Sequence, residues 1–319
     1  MTRFGDFQTL CSQVPSYTWC NLFYRQLQTN DPTALTGLSQ SAASAPVGVN
    51  PECGIPKVNT NGSLGNIANI IACGLSFFIV GALIYFTGRR KAAVGRIELR
   101  IFFVLYLLTL PFQLITSGSL LTQGSTALVA LTAIQAGLVA TLFWALLANA
   151  IVATQIVEDG TLSSIVPALS SPPSQPFSVL SVAFFVATTY ISLDVGFTFT
   201  HVLGTSNPPQ SINSIPLFVL TSIWPGVAAL IYFGLMMYIV LGILNEIRPV
   251  WYYVIAGILF VLSQLDYFLL SKIICRGSSM KVDGSFIATI LETACVVTLY
   301  FAWRGITEED WDDNLYYPS

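Results

Sequence analysis

Seven apolar runs occupy the chain from residue 66 onward, and each is about long enough to cross a lipid bilayer as a helix. They cover residues 66–87, 99–118, 126–151, 177–199, 215–244, 250–270 and 285–303. Hydrocarbon offers no water to backbone N–H and C=O groups, so a crossing segment must satisfy its hydrogen bonds internally, as a helix does. The sequence therefore predicts an all-α, polytopic membrane protein with about seven transmembrane helices.

The balance of residue types excludes several other classes of protein. Charged side chains make up 9% of the residues and the mean hydropathy is +0.70, whereas a soluble domain carries roughly 25% charged residues. A chain so poor in charge needs lipid as part of its solvent, which excludes a soluble enzyme. The net charge of −3 argues against a nucleic-acid partner. With His201 as the only histidine, we expect no metal centre and no other cofactor.

Polarity divides the chain into an N-terminal segment, a helical domain and an acidic tail: residues 1–65, 66–303 and 304–319. The first apolar run is followed by Arg89, Arg90 and Lys91, while only Lys57 lies close before it. The positive-inside rule places such a basic loop in the cytosol. We therefore expect a lumenal N-terminus and, after seven crossings, a cytosolic C-terminus.

The six cysteines fall into two groups. Cys73 and Cys295 lie inside apolar runs, where a thiol packs as a small apolar side chain. The other four fall on the predicted lumenal side: Cys11, Cys20, Cys53 and Cys275. Four cysteines permit three pairings. A local Cys11–Cys20 bond with a long-range Cys53–Cys275 bond is favoured, and free thiols are the alternative.

Asn61 begins the sequence Asn61-Gly62-Ser63, an acceptor for N-glycosylation. It lies so close to the first apolar run that we expect poor modification.

Three acids fall within the predicted spans: Asp194, Asp266 and Glu292. Asp194 lies nearer a helix end and could reach the outer interface, whereas we expect Asp266 and Glu292 to be better embedded. A charge inside a span costs a few kcal/mol or more, so such an acid marks a possible functional site. The other interpretation is a neutral carboxylic acid that is hydrogen-bonded between helices. A path through Asp266 and Glu292 would indicate a seven-helix transporter or receptor.

Motifs of known intramembrane enzymes are missing from these contexts. The acids follow leucines, in Leu193-Asp194 and Leu265-Asp266, and not the Tyr-Asp and Gly-x-Gly-Asp patterns of intramembrane aspartyl proteases. The last apolar run lacks the lysine that light-sensing seven-helix proteins use. We therefore predict no catalytic residues.

The C-terminal tail concentrates five acids: Glu308, Glu309, Asp310, Asp312 and Asp313. One interpretation is a solvated acidic end. The other is an acidic-x-acidic export signal that binds a basic patch on a vesicle-coat cargo adaptor, with Trp311 as an apolar anchor. Single exposed ion pairs contribute only about 0–1 kcal/mol, so several acids would have to act together.

Several segments carry a resemblance to a known family. They are 4–7 (FGDF, with Cys11 soon after), 92–98 (AAVGRIE), 135–138 (QAGL), 144–149 (WALLAN), 158–161 (EDGT), 281–289 (KVDGSFIAT), 291–293 (LET), 302–303 (AW), 306–308 (ITE) and 311–313 (WDD). In this order, across nearly the whole chain, they resemble the fungal chitin synthase export chaperones.

The resemblance implies a multi-pass protein of the endoplasmic reticulum membrane that is not an enzyme. Its partner would be a chitin synthase, which it would help to fold and to leave that membrane, in support of cell-wall chitin synthesis. It could also accompany this client to the plasma membrane. The family pattern gives no residue-level client site.

Overall fold

In a computed structural model the chain is all-α, as the sequence predicts. The structure describes residues 4–36, 38, 40–58, 64–89, 96–154, 175–200, 202–203 and 212–307. Within this part of the chain the β pairing is limited to one isolated antiparallel bridge, between Asp6 and Asn213.

The described part of the N-terminal segment holds two short helices and one 3₁₀ turn: α1 Gln8–Gln13, α2 Cys20–Asn30 and the turn Pro32–Leu35. The remaining α-helices are α3 Ile67–Arg89, α4 Arg96–Ser117, α5 Thr126–Ala153, α6 Gln175–Phe197, α7 Ile215–Phe218, α8 Trp224–Tyr238, α9 Arg248–Leu265, α10 Ser271–Gly277 and α11 Gly284–Thr307.

Among the described residues, seven helical segments are long and apolar enough to cross a membrane, which confirms the predicted set. They are Ile67–Arg89, Arg96–Ser117, Thr126–Ala153, Val179–Phe197, Ile215–Leu244, Arg248–Gly277 and Gly284–Ile306. The fifth joins α7 and α8, and the sixth joins α9 and α10.

Short π-helical stretches interrupt the fifth and sixth spans: Val219–Ile223, Ile239–Leu244 and Asp266–Leu270. The stretch Val219–Ile223 ends immediately before Trp224 and Pro225, the first two residues of α8. Proline lacks an N–H and its ring presses on the preceding turn, so a widened turn absorbs the disturbance. Pro111, in contrast, lies inside an uninterrupted α4.

Burial differs strongly among the spans. In the most apolar stretch of α5, 67% of the residues are buried. In the most apolar stretch of Arg248–Gly277, 17% of the residues are buried. Helix α5 is therefore central, and the sixth span is more peripheral. Gly137 on α5 permits a close approach of α6, since a Cβ at this position would lie against the Thr189 hydroxyl and 2.9 Å from the Phe185 carbonyl oxygen.

The described part of the N-terminal segment, residues 4–58, folds over one end of the bundle and is called the cap below. Its α2 packs against α5 and α6. Phe7, Leu22 and Phe23 are fully buried there, in one apolar cluster with Val129 of α5 and Val195 of α6. Although polar in composition, the cap is thus anchored to the helix ends by aromatic and aliphatic side chains.

Candidate functional site

Two disulfides fasten the cap. Cys11 is bonded to Cys20 within the cap, and Cys53 is bonded to Cys275 at the end of the sixth span. The corresponding Cα atoms lie 5.8 and 6.3 Å apart, within the range that a disulfide spans. Cys73 and Cys295 are buried free thiols.

An ion-pair cluster lies directly beside the second disulfide. Glu52 of the cap pairs with Lys272 and with Arg276 of α10, the latter at 3.1 Å. The hydrogen bond from Lys272 is the largest of the effects that hold the pKa of the Glu52 carboxyl below its ordinary value. These contacts join the cap to α10 on both sides of the covalent bond.

A buried polar cluster joins the cap to α3 and α11. The Asn66 side-chain amide donates to Ser16 Oγ at 3.1 Å, to Asp283 Oδ1 at 3.2 Å and to Ser285 Oγ at 3.1 Å. Asp283 is 0% exposed, and burial raises the pKa of its carboxyl. Among the described residues, its Oδ2 atom and Asn66 Oδ1 have no hydrogen-bond donor.

The Asn66–Asp283 cluster joins residues that the sequence analysis did not select as candidate site residues. Asp283 directly precedes α11, a position at which aspartate is favoured because its oxygens accept from nearby donors. This preference for aspartate before a helix is the sequence signal that could have identified Asp283. Asn66 stands at the start of an apolar run, and no local pattern singles it out.

Below this cluster a ladder of polar side chains crosses between α3, α4 and α11. The Thr289 hydroxyl donates to Asn69 Oδ1 at 2.9 Å and accepts from Gln113 Nε2 at 3.0 Å. One turn further, the Thr293 hydroxyl donates to Ser76 Oγ at 2.7 Å and lies 3.0 Å from the Tyr106 hydroxyl. In a bilayer such interhelical hydrogen bonds fix which helix faces meet.

The three intramembrane acids occupy different surroundings. Asp194 is 0% exposed and accepts from the Thr200 N–H at 2.7 Å and from the Thr200 hydroxyl at 2.8 Å. Asp266 is half-buried at the start of a π-helical stretch. Asp194 lies near the end of α6, as expected, and protein buries it more completely than it buries Asp266. The cap packs on the end of α6 and covers Asp194, whereas Asp266 belongs to the peripheral sixth span.

Glu292 faces an internal cavity of about 190 Å³ between α4, α5, α8, α9 and α11. Its Oε1 accepts a hydrogen bond from Gln264 Nε2 at 3.4 Å. Glu292 and Gln264 both line this cavity. Asp266 is not among the described residues that line it, so the structure does not bring Asp266 and Glu292 together on one path.

The described residues contain no group of three or more His, Cys, Asp or Glu that could hold a metal ion. Several candidate residues lie outside the described part of the chain: Asn61, His201, Glu308, Glu309, Asp310, Asp312 and Asp313. What the described geometry supplies is a covalently fastened cap, an interhelical hydrogen-bond ladder and an amphipathic cavity.

Comparison with known proteins gives a consistent result. A family model described as "Chitin synthase export chaperone" matches residues 3–316. A protein of that name from Phaeosphaeria nodorum is 28% identical over 96% of this chain and 83% of its own length. Proteins of the same name from Neurospora crassa and Kluyveromyces lactis are 27% and 24% identical, over 97% and 96% of this chain and 78% and 93% of their own lengths. No solved structure matches.

Proposed function

Because the chain belongs to the chitin synthase export chaperone family, we propose that it binds a chitin synthase in the membrane of the endoplasmic reticulum and assists its folding and exit. The observation that carries this proposal is the family match over residues 3–316. Seven helical segments able to cross a membrane support it, since they let the chain meet a client inside the bilayer. In this role the chain acts by binding and not by catalysis, and it supports cell-wall chitin synthesis through its client.

The proposed mechanism is shielding within the bilayer. Apolar side chains point outward from several spans, for example Phe78 on α3 and Leu230 on α8, each 75% exposed. Helices associate in lipid through close packing and interhelical hydrogen bonds. Such outward faces would cover the small or polar helix faces of an unassembled client, which are costly to leave against lipid.

The orientation that we propose places the cap in the lumen and the C-terminus in the cytosol. Both disulfides lie on the cap side of the bundle, and disulfides form and persist in oxidising compartments. Helix α3 begins at Ile67, directly after Asn66, whose side chain donates to Ser16 of the cap. The helix ends at Arg89, away from the cap. The positive-inside rule assigns that basic end to the cytosol.

The acidic tail completes the proposal as a cytosolic export signal. Its five acids would bind a basic patch on a vesicle-coat adaptor through a weak, reversible contact suited to cargo that must be released. Replacing Glu308, Glu309, Asp310, Asp312 and Asp313 with the corresponding amides should slow budding into vesicles while synthase binding persists. Normal budding of the neutralised variant would leave the tail as a solvated end.

Site-specific crosslinking tests client binding. A photoreactive residue is placed at an outward position of each span, in cells that express the synthase. Matched controls on the same helices are buried positions: Val80 for Phe78 on α3, and Ala229 for Leu230 on α8, which are 0% and 3% exposed. We expect synthase crosslinks from the outward positions of one or two helices only.

The export of the synthase is measured in parallel, as the surface fraction in cells with and without the chain. Absence of crosslinks at every outward position, combined with normal synthase export from cells that lack the chain, would contradict the proposal. Co-purification of the synthase with no added solute separates a chaperone from a transporter or receptor.

A further inference from the structure

The internal cavity has a polar half and an apolar half. On α11 its lining passes from Ser285 through Glu292 to Leu299. Because a helix rises 1.5 Å per residue, this lining extends over about 20 Å. The cavity, about 190 Å³ in volume, is therefore lined along much of the length of α11.

The same gradient recurs on the other helices around the cavity. On α4 the lining runs from Ser117 through Gln113 to Phe102 as the chain is followed away from the cap. On α5 it runs from Gln135 to Leu146, both on the same face. The polar ends lie beside the cap, where Ser16 to Trp19 line the cavity. Several independent helices thus present polar atoms near the cap and hydrocarbon deeper in the bundle.

The charge of the lining restricts the ligand further. Glu292 is the one Asp, Glu, Lys, Arg or His among the described lining residues. A carboxylate or phosphate head group would find no cation there, and an unpaired charge in a low-dielectric interior is costly. The Glu292 carboxyl and the side-chain amide of Gln264 instead offer acceptors to hydroxyl or ammonium donors.

Irregular helix geometry coincides with the same cavity. Thr221 lies in the π-helical stretch Val219–Ile223, and Tyr267 and Phe268 lie in the stretch Asp266–Leu270; all three line the cavity. Isolated π-helical turns inside longer helices are frequent at functional sites. Residues of two of these turns therefore form part of the cavity wall.

We infer that this cavity is a binding site for a single-chain amphiphile whose head group carries hydroxyl or amine donors and no anionic group. The head lies beside Glu292 and Gln264, and the chain extends toward Phe102 and Leu299. Binding requires no client, so the inference stands or falls separately from the chaperone proposal.

The test uses the full-length protein, purified in nanodiscs, and three photoreactive probes of equal chain length: a monoacylglycerol, a long-chain amino alcohol and a fatty acid. Labelled peptides are mapped by mass spectrometry with and without excess unlabelled competitor. We expect saturable labelling of peptides that contain Phe102 or Leu299 by one or both donor-headed probes, at least tenfold above labelling by the fatty acid.

Two substitutions locate the site. Ala229→Leu adds bulk to the cavity wall at a residue that is 3% exposed, and its control on the same helix is Val227→Leu, at a residue that is 46% exposed. We expect the first to reduce saturable labelling at least tenfold and the second to leave it unchanged. Glu292→Gln, which preserves shape, should weaken labelling by the amino alcohol more than labelling by the monoacylglycerol.

Equal or stronger labelling by the fatty acid would overturn the inference. So would labelling that excess competitor does not reduce, because that behaviour describes contact with bulk lipid. If Ala229→Leu does not fold, the wild-type competition and the Glu292→Gln comparison still decide the outcome. A further contradicting result has two parts. The amino alcohol would label wild type and Glu292→Gln equally, and the monoacylglycerol would show no saturable labelling of either protein.

Discussion

At the scale of single residues, the distinctive segment 281–289 is explained by contacts that the fold itself requires. Asp283 and Ser285 belong to the buried cluster with Asn66. Gly284 leaves room for α10, since a Cβ there would lie 2.9 Å from Ser271 Cα, and its N–H donates to Ser271 Oγ at 3.2 Å. Thr289 joins α11 to α3. These residues position α11 against its neighbours.

The first prediction concerns the Asp283 carboxyl. Burial raises its pKa above the ordinary value of 3.8, so the folded state binds a proton more tightly than the unfolded state. Stability therefore falls as pH rises from the ordinary value through the raised one. Asp283→Asn should remove this slope and, by supplying donors near the unpaired Asn66 Oδ1, raise stability at pH 7 by about 1 kcal/mol. Thermal unfolding of purified protein across pH measures it.

Glu52 provides the comparison of opposite sign. Its pKa is lowered in the folded state, chiefly by the hydrogen bond from Lys272. Glu52 therefore stabilises the folded state at pH values above its pKa in the unfolded chain. This contribution to stability is lost as pH falls through its pKa in the folded protein. Glu52→Gln should therefore reduce the loss of stability at acidic pH.

For Asp283, the contradicting result is a steeper loss of stability with rising pH in Asp283→Asn than in wild type. That result would refute the raised pKa assigned to the Asp283 carboxyl.

At the scale of helices, the packing of α5 against α6 depends on Gly137. Thr189 and Phe185 occupy the space that a side chain would need. The ring of Phe184 on α6 also stacks between Trp144 of α5 and Trp224 of α8, with centroids 5.6 and 4.7 Å away. Because the Trp224 indole N–H donates to the Ala140 carbonyl at 3.0 Å, this stack fixes the relative position of the three helices.

The second prediction is that Gly137→Ala destabilises the bundle by about 1–3 kcal/mol, because overpacking forces the helices apart. The matched control is Gly74→Ala on α3, where a Cβ would meet nothing within 4 Å. There the better helix propensity of alanine should leave stability equal or slightly higher. Thermal unfolding and monodispersity in detergent measure both variants. Equal stability of the two would show that α6 does not approach α5 so closely.

At the scale of the whole molecule, the cap and the bundle form one unit because contacts join them at several places. The Cys53–Cys275 bond has a sequence separation of 222, whereas Cys11–Cys20 has one of 9. A crosslink that closes a longer loop removes more chain entropy from the unfolded state. The long-range disulfide should therefore contribute more to stability than the local one.

The third prediction follows from these loop lengths. Cys53→Ala with Cys275→Ala should cost more stability than Cys11→Ala with Cys20→Ala, both within about 2–5 kcal/mol. Cys295→Ala is a control for the loss of a buried free thiol. Unfolding temperatures under non-reducing conditions give the order. Equal losses for the two pairs would rule out the loop-length explanation.

The fourth prediction concerns orientation. In sealed microsomes, added protease should remove a tag placed after Ser319 and leave a tag near Met1 intact, because the basic residues after α3 hold that end in the cytosol. A variant in which Arg89, Arg90 and Lys91 become glutamine should show mixed protection, whereas changing Lys57 alone should not. Protection of the Ser319 tag in the wild type would reverse the proposed topology.

The sequence by itself determines the number and approximate limits of the spans, because a bilayer acts on each segment separately and hydropathy is a local property. It also limits the disulfides to three pairings, which the separate locations of the cysteines narrow further. Tertiary structure alone decides which acids are buried, as Asp194 and Asp266 show. It likewise creates the cavity around Glu292 and the bond between Asn66 and Asp283, which are 217 positions apart. Such features arise where helices that are far apart in the sequence pack together. No local sequence pattern encodes which helix faces come into contact.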